Sequence, residues 1–263
     1  MRKYLFIFKS QVMTNLQYVF NVLIDFIMYF IIIFVFLNLW KYMYSDPNEL
    51  INGYSMNQMI WYVIITEILW SVLGGRKYVD KISDDVKGGN IAYNINKPYN
   101  YILYCLSEHL GDIIIKGIIY IILGLLLGFI FLNSFPSINI LMFLAVVLTM
   151  FLATTISTLL MIFIGLFSFI VEDSKPFYWL YSKFILVLGT LFPIEYFPKV
   201  IQPFLKFSPI YTVSYGPAKL FVDFSIGEFI NILIAQIIYI FIAYTLCSLI
   251  YKKGVKRLNV NGG

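Results

Sequence analysis

The sequence predicts an all-α membrane protein with six transmembrane helices, from its composition and from the lengths of its apolar runs. Of the 263 residues, 60% are hydrophobic and 13% are charged, whereas charged residues make up about 25% of a typical soluble domain. The mean hydropathy is +0.84. Several apolar runs reach the roughly 20 residues that a helix needs to cross a bilayer. Because these runs follow one another closely, we expect a single transmembrane domain over residues 1–263.

The N-terminal part of the chain predicts one surface helix and two spans. From Tyr4 to Tyr18, apolar residues recur near helical spacing, which is typical of an amphipathic helix at the membrane interface. The first span is predicted over residues 19–39 and the second over residues 59–75. The polar loop between them contains the turn signal Asp46-Pro47-Asn48. The second apolar run is short, which suggests that its helix continues past residues 74 and 75.

Four more spans are predicted in the rest of the chain. The third covers residues 113–132 and the fourth covers residues 140–165. The apolar run of the fourth extends to Val171, which is too long for an untilted crossing. The fifth span is predicted over residues 177–194 and the last over residues 229–250.

Residues 195–224, between the last two spans, are interrupted by four prolines. The segment is too broken for a span and too apolar for a free loop. We therefore predict short re-entrant helices in the outer leaflet, where irregular backbone is tolerated only against protein or a watery cavity. The prolines that mark this outer region, including the one that ends the fifth span, are Pro193, Pro198, Pro209 and Pro217.

The distribution of basic residues predicts the orientation of the chain. If the N-terminus is inside, the outer segments hold four of the 19 Lys and Arg residues, and the inner segments hold the other 15. Such an excess is typical of cytoplasmic segments. We therefore expect a multi-pass plasma membrane protein with both termini in the cytoplasm, and the residue usage is typical of bacteria. The four basic residues on outer segments are Lys41, Lys199, Lys206 and Lys219.

The longest polar stretch is the predicted inner segment from Arg76 to Asp112. Gly88-Gly89-Asn90 interrupts the helical pattern there, and Lys97-Pro98 is typical of a helix start. The residues from Tyr99 to Leu110 then predict a short amphipathic helix outside the bilayer, because their leucine and isoleucine residues share one face.

The sequence contains none of the motifs that would make this chain an enzyme. It has no G-x-x-x-x-G-K-[ST] phosphate loop, no HExxH and no GxSxG. One histidine and two distant cysteines do not predict a metal site. We therefore expect no catalytic residue, cofactor or metal in this chain, so that any ATP is hydrolysed by another protein.

Two acidic residues fall within predicted spans, Asp25 and Glu67. A charge inside the membrane costs about 2.5–3.5 kcal/mol on insertion scales and therefore marks a candidate functional site. Both are candidates to line a translocation path. The alternatives are that Asp25 reaches water at the inner interface, and that Glu67 is protonated or paired within the bundle.

Three segments, taken in order, resemble the permeases of type-2 ATP-binding-cassette (ABC) exporters. The first is the inner segment from Gly88 to Leu110. The second is the outer region that begins at Phe192-Pro193 and continues through Ser208-Pro209-Ile210 to Tyr215-Gly216-Pro217-Ala218. The third is the tail from Lys256 to Gly263. The resemblance covers essentially the whole chain.

The resemblance implies a six-helix permease that works as a dimer with two cytoplasmic ABC ATPase subunits. ATP and Mg²⁺ would bind to those subunits, and the second permease would be identical or a sibling chain. The stretch from Tyr4 to Tyr18 would be an elbow helix on the inner leaflet, and the helix after Pro98 would be a coupling helix. The implied coupling residues are Asn90, Ile91, Lys97, Pro98, Tyr99, Ile102, Leu103 and Leu106.

Three other classes of function stay open at this point. An ion-gradient-driven secondary transporter or channel subunit predicts polar or broken spans near the middle of the membrane, and only Glu67 fits. A membrane-embedded enzyme needs a cluster of reactive side chains, and a non-transporting anchor makes no prediction that the sequence tests. The cargo is expected to be hydrophobic or amphipathic because 19% of the residues are aromatic. Membrane lipid is an expected partner and nucleic acid is not.

Overall fold

The computed structural model describes residues 2–46, 49–73, 75–136, 139–171 and 173–261, without the side chains of residues 19 and 257–261. Their regular structure is helical apart from one isolated β-bridge between Ile51 and Tyr54. Some residues of predicted features lie outside this description: Pro47 and Asn48 of the turn, Gly74 of the second span, and Gly262 and Gly263 of the tail.

Eleven α-helices are formed by the described residues. In chain order they are α1 (Arg2–Leu16), α2 (Val19–Met43), α3 (Met56–Val72), α4 (Arg76–Lys87), α5 (Ile91–Ile95), α6 (Tyr101–Leu132), α7 (Ile140–Leu166), α8 (Lys175–Ile185), α9 (Gln202–Lys206), α10 (Gly216–Val222) and α11 (Ile226–Asn261). The end of the bundle that carries the α2–α3 loop and residues 193–224 is called the outer end here, after the predicted orientation. The opposite end, which carries α4 and α5, is called the inner end.

Five helical stretches of the described chain are long and apolar enough to cross a membrane. They correspond to the first, second, third, fourth and last predicted spans, so the chain is a multi-pass membrane protein. The stretches are Phe20–Met43, Met56–Lys87, Tyr101–Leu132, Ile140–Phe169 and Ile226–Lys256.

The fifth predicted span, residues 177–194, is not among these stretches. Helix α8 has 11 residues and continues as a π-helix of six residues, Leu186–Leu191. The two together reach about 25 Å at 1.5 Å per residue, which is short of the roughly 30 Å hydrocarbon core. Tyr62 and Thr66 of α3 explain the irregular end, because their hydroxyls donate hydrogen bonds to the carbonyls of Gly189 (2.6 Å) and Thr190 (3.1 Å).

Helix α3 is the centre of the bundle. It begins at a capping box in which the side chains of Ser55 and Gln58 each accept a hydrogen bond from the other's backbone N–H. Twelve of its 17 residues are buried. The helix ends at Val72 and the chain resumes as a separate helix, α4, at Arg76, whereas the sequence suggested one helix that continues past residues 74 and 75.

The predicted separate helix from Tyr99 to Leu110 is corrected by the structure. It forms the first part of α6, which begins at Tyr101 after an Asn100 cap and runs without a break to Leu132. Gly111 does not end this helix because α1 packs against it there, and a Cβ atom on Gly111 would come within 2.6 Å of the Phe8 carbonyl oxygen. The neighbouring Asp112 accepts hydrogen bonds from Gln11 (3.3 Å) and Asn15 (2.8 Å) of α1.

Residues 194–222 form short helical pieces, as the prolines predict. They are a 3₁₀ turn at Ile194–Tyr196, α9, a π-helix at Tyr211–Tyr215, and α10. The π-helix and most of α10 are buried between α3, α7 and α11. Gln236 of α11 fixes this packing, because its side-chain amide donates to the carbonyls of Thr212 and Thr149, both at 2.9 Å.

The predicted surface helix is present as α1, and none of its residues is buried. Its position relative to a membrane stays a prediction.

Candidate functional site

Part of the predicted coupling segment is exposed at the inner end. A turn at Gly89, whose φ of +74° favours glycine, leads from α4 into α5. The exposed residues around it are here called the inner patch: Gly88, Gly89, Asn90, Ala92, Tyr93, Asn96, Lys97 and Pro98. Tyr93 is 75% exposed and projects a large aromatic ring from α5. Tyr93 is not among the coupling residues that the family resemblance implied.

Two of the predicted coupling residues lie in the core instead. Ile91 and Ile102 are buried in a cluster, here called the inner core, with Tyr101 and residues of α4, α7 and α11. Tyr99, Leu103 and Leu106 are half-buried. Ile91 directly follows the patch residue Asn90. The inner patch is therefore connected through Ile91 to the inner core, which contains residues of α4, α6, α7 and α11.

Helix α1 also contacts the inner segment. The Tyr4 hydroxyl accepts a hydrogen bond from the Asn100 backbone N–H at 2.9 Å, and the Lys3 ammonium group donates to the Pro98 carbonyl. The predicted elbow helix and the turn before α6 are therefore joined directly.

Asp25 lies at the inner end and is open to water. Its side chain is 63% exposed and pairs with Lys116 of α6 at 3.2 Å. Both residues line a polar cavity of about 440 Å³ between α1, α2, α4 and α6, and a second cavity of about 340 Å³ between α2, α3, α6 and α8. This ion pair therefore stands between the two cavities.

Glu67 lies deeper in the bundle. Its side chain is 1% exposed, and its Oε2 atom has no hydrogen-bond partner among the described residues. Tyr29 is an electrostatic neighbour of Glu67 and lines the second cavity. Trp70 and Ser71, one helical turn along α3 from Glu67, line the same cavity. The structure therefore places Glu67 about one turn beyond the cavity that begins at Asp25, and does not bring the two carboxylates together.

A compact polar cluster closes the outer end. The Glu195 carboxylate accepts hydrogen bonds from the hydroxyls of Tyr54 (2.9 Å) and Tyr215 (2.5 Å). Tyr44 donates to the Tyr54 carbonyl at 2.8 Å and lies 3.1 Å from the Tyr196 hydroxyl. Burial, and then the Glu195 charge, raise the pKa of Tyr54, so its hydroxyl keeps the proton that it donates. These five residues are here called the outer cluster.

The outer prolines occupy different environments around this cluster. Pro193 precedes the 3₁₀ turn that carries Glu195, and Pro217 is the second residue of α10, two residues after Tyr215. Both are buried, whereas Pro198 is exposed and Pro209 is half-buried. The sequence analysis identified the outer region by these prolines and missed Glu195, whose acidic side chain among apolar residues was the available signal.

The described residues contain no group of three or more His, Cys, Asp or Glu side chains that could hold a metal ion. Both cysteines are buried and unpaired. The polar features of the described chain are therefore an exposed patch at the inner end, two cavities that lead toward Glu67, and a hydrogen-bonded cluster at the outer end.

Comparison with known families gives one match. A family model described as "ABC-2 family transporter protein" matches residues 26–262. The matched range begins within α2 and takes in every later helix, so α1 lies outside it. None of the curated proteins matches the chain.

Proposed function

Because the chain belongs to the ABC-2 family of transporter proteins, we propose that it is the membrane-spanning subunit of an ATP-driven exporter. Membership of the family makes the chain an ABC transporter permease, a class that works with ABC ATPase subunits. The match of the family model to residues 26–262 is the observation that supports the proposal most strongly. ATP and Mg²⁺ bind to the ATPase subunits, and this chain supplies the membrane path.

The inner patch is the proposed docking surface for an ATPase subunit. Tyr93 offers an exposed aromatic anchor of the kind enriched at protein interfaces, and Lys97 adds a positive charge to the same exposed patch. Force on the patch reaches α4, α6, α7 and α11 through Ile91 and the inner core. The helices therefore act as rigid levers, which is a common way to transmit a conformational change.

Six crossings with both termini inside are part of the proposal. Helix α8 and its π-helical end provide the sixth crossing, shortened because the chain turns at Pro193. The excess of basic residues on the inner segments supports this orientation in a bacterial plasma membrane. Helix α1 lies on the inner leaflet among lipid headgroups, and a second permease, identical or a sibling, completes the assembly.

The proposed path begins at the two inner cavities and leads past Glu67. Polar groups at the mouth and apolar and aromatic side chains deeper in suit a hydrophobic or amphipathic cargo. The unpartnered Glu67 carboxylate is the one observation that favours the alternative, an ion-gradient-driven transporter or channel subunit. Dependence of transport on ATP distinguishes the two.

A pull-down from the native membrane in mild detergent tests the proposal. The tagged full chain is expected to recover a stoichiometric P-loop ATPase, and the double variant Tyr93→Ala/Lys97→Glu to lose it. Phe207→Ser is the matched control, because Phe207 is also highly exposed but lies at the outer end. Recovery of the chain alone, in conditions that keep other membrane complexes intact, would overturn the proposal.

A further inference from the structure

The single histidine of the chain, His109, lies buried where four helices meet at the inner end. It belongs to α6, two turns beyond Ile102 and two turns before Lys116. The sequence analysis assigned it no role, and neither the inner patch nor the cavity ion pair requires a histidine here. Its ring lines the polar cavity of about 440 Å³ on one side only.

Both ring nitrogens of His109 are used by other helices. Nε2 is 3.0 Å from the Leu73 carbonyl oxygen, and Nδ1 is 2.9 Å from the Thr158 hydroxyl of α7. A carbonyl oxygen only accepts, so the ring proton must be on Nε2. Nδ1 of the neutral ring is then an acceptor that faces the Thr158 hydroxyl, whose single proton it shares with the Thr154 carbonyl oxygen at 2.8 Å. The partners therefore fix both the tautomer and the orientation of the ring.

The Leu73 carbonyl stands at the point where α3 ends. Carbonyls in the last turn of a helix have no N–H partner within the helix, and α4 starts only at Arg76. The His109 ring also stacks on Tyr78 of α4 with 4.1 Å between centroids. Tyr78 in turn donates to the Cys105 carbonyl, one turn before His109 on α6. The end of α3 and the start of α4 are thus both fastened to α6.

We propose that His109 is a positioning residue that carries movement of the inner patch across the α3–α4 break into α3. A break between two helices is a natural hinge, and an unfastened hinge would absorb a displacement of α4 before it reached the end of α3. The hydrogen bond to Leu73 bypasses that hinge. It links α6, whose first turns support the inner patch, to the helix that carries Glu67.

This role presupposes the proposed function, because the displacement originates at the docked ATPase. It makes a prediction that a purely structural role does not. Loss of the histidine leaves the movement of α6 in response to nucleotide intact and lowers the movement of α3.

Glutamine at position 109 preserves the movement of both helices, since its amide nitrogen donates to Leu73 and its amide oxygen accepts from Thr158.

Fluorescent labels on α3 and α6 test this prediction in the complete complex with its ATPase. The native cysteines Cys105 and Cys247 are buried, so a thiol-reactive dye labels Ser71→Cys on α3 or Ser107→Cys on α6 selectively. Each label is compared before and after trapping with ATP and vanadate. In the otherwise unchanged chain, both labels are expected to respond.

In His109→Ala, the label at Ser107 is expected to respond as before. The fluorescence response of the label at Ser71 is expected to fall at least about fivefold, which is the lower end of typical coupling effects between sites. His109→Gln is expected to restore it. Ser83→Ala is the matched control, because it removes another inner hydrogen bond, to Ser168 at 2.7 Å, without touching α3. Both labels are expected to respond in this control.

The outcomes separate the two levels of the proposal. An unchanged Ser71 response in His109→Ala, or a loss of that response in His109→Gln, would overturn the role of His109 alone. A chain whose Ser107 label does not respond to nucleotide before any change at position 109 would overturn the proposed function, and the role of His109 with it. If His109→Ala does not assemble, His109→Phe decides, because its ring can stack on Tyr78 as His109 does but cannot donate to the Leu73 carbonyl. The Ser71 response is expected to fall in His109→Phe, and an unchanged response would overturn the role of His109.

Discussion

At the outer end of the bundle, the Glu195 carboxylate accepts hydrogen bonds from two tyrosine hydroxyls that belong to separate elements. At the inner end, by contrast, cavities lie between the helices, and an ion pair bridges two of them. The outer contacts are short and partly or fully buried. The inner contacts include the largely exposed Asp25 side chain. A permease that alternates its access needs one end that stays shut until force arrives and another that admits cargo. The comparison therefore suggests that the structure represents a state closed at the outer end.

Among the variants that test this difference between the two ends, Glu195→Ala is expected to lower stability most. It leaves the Tyr54 and Tyr215 hydroxyls without their acceptor, at about 3 kcal/mol of unfolding free energy for two hydrogen bonds to a charged group. Titration with a denaturing detergent in mixed micelles measures this loss. Tyr54→Phe removes one of the two bonds and is expected to lose about half as much. A loss below that of Tyr54→Phe would show that the cluster does not hold the outer end.

Gly111→Ala tests the packing of α1 on the inner end. The added Cβ atom would lie 2.6 Å from the Phe8 carbonyl oxygen, so α1 must shift, at about 2 kcal/mol for overpacking. Limited proteolysis of α1, together with the same detergent titration, reports the shift. Gly117→Ala on the same helix is the control, because its Cβ atom would meet only the Val72 side chain at 3.7 Å. Equal effects at both positions would contradict the close approach of α1.

Lys116→Gln is expected to lower stability by less than about 1 kcal/mol, because its partner Asp25 is largely exposed and such pairs contribute little. Transport is expected to change more than stability does, since the pair stands between the two inner cavities. Export assays in vesicles at matched protein levels measure this. If Lys116→Gln loses much stability but transports normally, the ion pair with Asp25 holds the fold and has no role between the cavities.

Glu67→Gln is expected to have the smallest effect on stability, less than about 1 kcal/mol, because it keeps the shape of a buried side chain whose Oε2 atom has no hydrogen-bond partner among the described residues. If Glu67 lines the path, export falls although the fold is intact. Glu67→Gln that exports normally would remove it from the proposed path. Loss of ATP-independent ion flux in the same variant would support the ion-driven alternative.

Patterns along the sequence predicted those features that depend on local chemistry. The apolar runs located five of the crossing helices, and the prolines at positions 193 to 217 located the short outer helices. The exposure of Asp25 agrees with the alternative that it reaches water at the inner interface. Glu67 is buried, and its place on a translocation path stays a prediction. Apolar runs and prolines act through the backbone and through solvent, so their effects can be predicted from neighbouring residues.

Features that depend on distant partners were not predicted. The continuation of α6 through Gly111 goes with the close approach of Phe8 of α1, which no local pattern reveals. The irregular end of α8 follows from hydroxyl groups on α3. The family resemblance likewise implied a coupling role for Ile102, whereas α4, α7 and α11 bury it in the inner core.

Site-specific photo-crosslinking in the native membrane tests most directly whether the inner patch docks an ATPase. A photoreactive amino acid replaces Tyr93 at the inner end, or Val200 at the outer end, two residues of similar exposure, 75% and 78%. The proposed function predicts that the probe at position 93 captures a cytoplasmic P-loop ATPase and that the probe at position 200 does not. Capture of that ATPase from position 200, or of no ATPase from position 93 in a transport-competent membrane, would contradict it.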